Sequence, residues 1–95
     1  MKEMDAKTTA ILRLYRINDE WKYCCGTNDG TRFRKYLLEI VNDIFNGYIT
    51  YYAFETVMCD FSKEIDQAGY KIEEFLSFVK YNIADKYAKI EIAPQ

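Results

Sequence analysis

Histidine is absent from this chain of 95 residues, proline occurs once, glycine four times and cysteine three times. The missing histidine removes the commonest general base, the usual activator of a serine or cysteine nucleophile and the commonest metal ligand together. Serine is scarce as well, and Ser62 and Ser77 both fall inside helical patterns. Cys24, Cys25 and Cys59 make an odd set with no C-x-x-C spacing. Adjacent thiolates suit one tetrahedral ion poorly, so neither a zinc site nor a disulfide framework is expected. They read as structural thiols of a reducing cytoplasm, with Cys59 outward-facing and the one open to modification. Apolar runs such as Ala10-Ile11-Leu12 end after a few residues, against the ~18 that a membrane span requires.

What remains is an ordinary globular composition with a heavy aromatic load. Hydrophobic residues make up 49% of the chain, and 16 of the 95 residues are Phe, Tyr or Trp. Large rings help a short chain, because each can bury about 150–250 Å². One domain spanning residues 1–95 is the expectation. The net charge of −2 hides an asymmetry. Residues 1–36 carry +3 and hold all four arginines, Arg13, Arg16, Arg32 and Arg34, whereas residues 37–66 carry −5. Neither block approaches the balance of a dedicated nucleic-acid-binding domain. A solvated face is the plain explanation of both.

Turn-forming residues gather at Gly26-Thr27-Asn28-Asp29-Gly30, at Asn46-Gly47 and at Gly69, dividing the chain into four segments. In the third, Phe54, Val57, Met58, Phe61, Ile65 and Ala68 share one stripe of a 3.6-residue helix. Thr50 stands at its N-cap position and Gly69 at its C-terminal end. The second segment, residues 31–46, aligns Phe33, Leu37, Ile40, Val41 and Ile44, with Thr31 or Asp29 as cap. The fourth, residues 71–88, aligns Ile72, Phe75, Leu76, Val79, Ile83 and Tyr87. The first segment is ambiguous. As a helix it aligns Ala10, Leu14, Ile17, Trp21 and Cys24 but leaves Ile11, Leu12, Tyr15 and Tyr23 on the far side. As a hairpin it has strands at 10–17 and 21–25 joined by Asn18-Asp19-Glu20. The expected fold is all-α, a small antiparallel four-helix bundle; the alternative is an N-terminal β-hairpin plus three helices.

Two motifs deserve weighing as ligand sites. Gly30, Thr31, Arg32, Arg34 and Lys35 place cations at a helix start, a weak anion-binding candidate. The glycine spacing is not that of a P-loop, and no lysine precedes Thr31. A capped helix start with solvated cations is the plainer account of it. The stretch beginning Asn42-Asp43-Ile44-Phe45-Asn46-Gly47 has an EF-hand-like glycine. Alignment on Gly47 nevertheless puts Ile44 at the third position and Ala53 where a bidentate glutamate must stand, so calcium is excluded.

The best lead is a surplus of rings. The core stripes absorb Phe33, Phe54, Phe61, Phe75 and Tyr87. Tyr48, Tyr51, Tyr52, Phe78 and Tyr81 lie near Glu55, Glu74 and Asp85, and Tyr48, Tyr52, Phe78 and Tyr81 are read as outward. Interfaces are enriched in exposed aromatics and solvated faces are not. Cover from the first segment, from the Ile90-Glu91-Ile92 tail or from a second copy of the chain is the competing account. The functional expectation is a small, non-enzymatic, cytoplasmic interaction protein without cofactor or metal. It binds and inhibits or neutralises a protein partner, in the manner of the inhibitor or immunity factors of phage and mobile elements. The alternative is a nucleic-acid-binding regulator working through Arg13, Arg16, Arg32, Arg34 and Lys35.

Overall fold

A computed structural model describes residues 5–25 and 30–92; the side chains of residues 24, 25, 30, 31, 91 and 92 stand outside that description. Six helices follow one another: α1 (Ala6–Tyr15), α2 (Ile17–Cys25), α3 (Gly30–Phe45), α4 (Tyr51–Asp60), α5 (Ser62–Gln67) and α6 (Ile72–Ile92). The fold is all-α, with no strand among the described residues. The hairpin alternative is therefore overturned: Ala10, Leu14, Ile17 and Trp21 are buried at steps of four and three. Ile11, Leu12, Tyr15 and Tyr23 remain exposed on the other side.

Two of the four expected segments are each built from two helices. Between α1 and α2 the chain turns at Arg16, whose N–H donates to the carbonyls of Leu12 and Arg13. The hydroxyl of Tyr36 in α3 also donates to the Arg13 carbonyl, a second donor on that acceptor at the helix break. Between α4 and α5, Phe61 leaves helical geometry (φ −122°, ψ 29°) while its ring stays buried. Asp60 and Ser62 flank this break, and both types are poor helix-interior residues. Punctuation elsewhere follows the sequence pattern. The Thr50 hydroxyl accepts from the Ala53 N–H at 3.1 Å, and Gly47 and Gly69 adopt φ values of 78° and 91°. Those left-handed values suit glycine and close the ends of α3 and α5.

The segments alternate in direction along the chain. Arg13 of α1 reaches Asp43 near the end of α3, whereas Trp21 of α2 meets Phe33 near its start, so the first segment is antiparallel to α3. Phe33 packs on Phe75 and Phe45 packs on Tyr87, which makes α3 and α6 parallel along their whole contact. Lys80 of α6 lies over Tyr51 at the start of α4, so α4–α5 runs back against α6. At one end of the core, Trp21, Phe33, Tyr70 and Phe75 meet with centroids 5.0–5.9 Å apart, mostly edge to face. Phe54, Met58 and Ile65 complete the interior from α4 and α5.

Candidate functional site

On α4 the buried axis passes through Phe54 and Met58. At 100° per residue, Tyr52 is about 160° from Phe54 and Tyr51 about 60°. Tyr52 is accordingly 76% exposed, while Tyr51 is half-buried against the core with its ring 5.8 Å from Phe54. Burial, followed by the nearby Glu55 carboxylate, pushes the Tyr51 hydroxyl above its ordinary pKa. The Lys80 ammonium sits 5.3 Å from the centre of the Tyr51 ring and ties α6 to the start of α4. Glu55 is half-buried and Cys59 exposed, the latter as its helical position predicts. Tyr48, in the turn before α4, is half-buried and packs against the core, which corrects its reading as an outward ring.

On α6 the fully buried residues are Phe75 and Val79. Phe78 is i+3 from Phe75, about 60° round the helix, and it is half-buried against the core. The expectation of an outward Phe78 is corrected: the stripe is centred on Phe75 and Val79, with Phe78 on one flank and Leu76 on the other. Tyr81 is about 120° from Phe75 and is 69% exposed. Glu74 is exposed, and Asp85 is half-buried and pairs with Lys89 at 3.0 Å. The hydrogen bond and charge of Asp85 hold the Lys89 ammonium above its ordinary pKa. Tyr87, expected in the core, is 51% exposed, although its ring meets Phe45 at 4.9 Å. It too lies about 120° from the Phe75 axis. The Ile90-Glu91-Ile92 stretch continues α6, so it cannot fold back over Phe78 of the same helix.

The candidate anion cluster does not converge. Arg32 lies with its guanidinium 5.7 Å from the Tyr23 ring centre, and Arg34 lies 5.8 Å from that of Phe75. Lys35 instead faces the groove shared with α1. Successive residues on a helix point about 100° apart, so the three cations diverge. Gly30 and Thr31 begin α3, and residues 26–29 of the same loop lie outside the described residues.

Helical patterning alone passed over a polar cluster between α1 and α3. The Arg13 guanidinium contacts Asp43 at 2.5 Å and Glu39 at 3.2 Å, and Asp43 is buried, the one charged residue to be so among the described residues. Tyr36, Glu39 and Asp43 recur at i, i+3 and i+7 and form the flank of α3 that faces α1. That spacing was the available signal, because Asp43 falls beside the apolar stripe of Ile40 and Ile44. Above the cluster opens a cavity of about 410 Å³. Among the described residues, no group of three His, Cys, Asp or Glu side chains is placed to hold a metal ion, and no helix is long and apolar enough to cross a membrane. Comparison with protein-family models, curated proteins and solved structures returns no match.

Proposed function

We propose that this chain is a small interaction protein of the cytoplasm that works by occupying a surface of a protein partner, as an inhibitor or neutralising factor does. The observation that carries this reading is the pair Tyr52 and Tyr81, 76% and 69% exposed on α4 and α6. Tyrosine offers large, stiff contact area with a polar tip, and anchors of this kind dominate binding energy at interfaces. The contact of Lys80 with Tyr51 braces the two helices that present them. Glu55 and Glu74 supply negative charge on the same elements, which favours a partner of complementary sign. Blocking a surface needs shape and charge but no catalytic group, in keeping with a chain that has no histidine.

The arrangement of the cations supports this reading over nucleic-acid binding. Arg13 is committed to two carboxylates, Arg34 lies against Phe75, and Arg32 points elsewhere. Arg16 and Lys35 share one cleft, but phosphate tracking needs several cations on one face.

The test is a double variant, Tyr52→Ser with Tyr81→Ser, leaving half-buried Phe78 untouched. Stability should change by less than about 1 kcal/mol, as for exposed sites. Capture of the native partner from host cells should fall at least tenfold. Undiminished capture by a folded double variant rejects this surface.

A further inference from the structure

We propose that the cleft between α1–α2 and α3 is a binding site for a small organic monocarboxylate with an apolar body. This inference is independent of the tyrosine surface. The cleft encloses about 410 Å³, within the range of small-ligand pockets. Its floor is fixed: Tyr36 donates its hydroxyl to the Arg13 carbonyl, and Arg13 is clamped by Asp43 and Glu39. Such a floor is organised before any ligand arrives, which lowers the ordering cost of binding.

The mouth carries the charge. Arg16 and Lys35 both line it, and neither has an ion-pair partner among the described residues. Arg16 also suits the C-terminal end of α1, but Lys35 sits within α3 and gains nothing from a helix end. Glu20 and Glu39 line the same cavity, and together with Asp43 they balance Arg13, Arg16 and Lys35, so the two mouth cations act by direct contact and not through a surplus of positive charge. A cleft with no surplus positive charge admits a monoanion that bonds Arg16 and Lys35 directly and disfavours a phosphate dianion, which Glu20 and Glu39 would repel. Two cations facing one cavity match a carboxylate with two oxygens to bond. Apolar contact comes from exposed Leu12 and from the half-buried Tyr36 ring, so an anion with a hydrocarbon or aromatic body fills the cleft better than a bare one.

Phenylacetate is a suitable probe, titrated into the full chain at constant ionic strength alongside acetate and inorganic phosphate. Amide resonances of α1 and α3 should shift saturably with phenylacetate at millimolar concentration, and acetate and phosphate should bind at least about fivefold more weakly. Arg16→Gln and Lys35→Gln should each weaken phenylacetate about three- to tenfold, because each removes a charge-assisted contact at a wet site. Lys63→Gln, on α5, should leave binding unchanged. Both mouth residues are exposed, so these variants keep the core intact. The proposal is overturned by an absence of saturable shifts up to about 20 mM. It is equally overturned by affinity that survives both glutamine replacements, or by phosphate binding as tightly as phenylacetate.

Discussion

Asp43 and Glu39 share one guanidinium, yet water reaches them very differently. The Asp43 side chain is 9% exposed and that of Glu39 is 58% exposed. Removing Asp43 leaves Arg13 partly buried without its inner partner, whereas removing Glu39 breaks a contact that solvent already screens. Asp43→Ala should therefore cost about 2–3 kcal/mol in urea unfolding, and Glu39→Gln less than about 1 kcal/mol. Tyr36 adds a pH dependence. Burial first, then the Glu20 charge, raises its hydroxyl above the ordinary 10.0. The unfolded chain thus ionises before the folded one, so the stabilisation is complete below the ordinary value and is lost as pH rises beyond it. Tyr36→Phe should lower stability at neutral pH by about 1 kcal/mol through the lost hydrogen bond. Above pH 10.0 it should lose stability less steeply than the parent chain when unfolding is followed across that range.

At the scale of the element, caps and turns were written locally. Thr50 and Gly69 were legible because an N-cap hydroxyl and a left-handed residue are demands of a single helix end. Thr50→Ala should cost about 1 kcal/mol by urea unfolding, since the Ala53 N–H loses its acceptor. The breaks at Arg16 and Phe61 were not legible. No glycine or proline marks either one, and the α1–α2 turn rests on a hydroxyl that Tyr36 brings from another helix. The buried steps of the first segment were correctly phased, but the pattern could not separate helix from hairpin while both sides held apolar residues. Exposure of Ile11, Leu12, Tyr15 and Tyr23 resolved that conflict.

For the whole molecule, the aromatic knot of Trp21, Phe33, Tyr70 and Phe75 joins α2, α3 and α6 with the turn before α6. Phe75→Ala should cost about 3–5 kcal/mol and shift the emission of Trp21, the sole tryptophan, in the folded state. The knot explains why candidate surface rings split as they did. Phe78 flanks Phe75 and is drawn inward, while Tyr81 lies far enough round α6 to remain in water. The dispersal of Arg32, Arg34 and Lys35 has the same origin, because each faces a different neighbour of α3.

By itself the sequence determined the helical character of its second, third and fourth segments, their main buried stripes and the absence of a histidine-based site. Those properties follow from periodicity about one helix axis and from composition. The tertiary structure decided which flank of each stripe is covered, the pairing of Arg13 with Asp43, and the cleft lined by Arg16 and Lys35. A helical wheel fixes angles within one element. Only the packing of α3 against α1 and α6 sets what each angle meets.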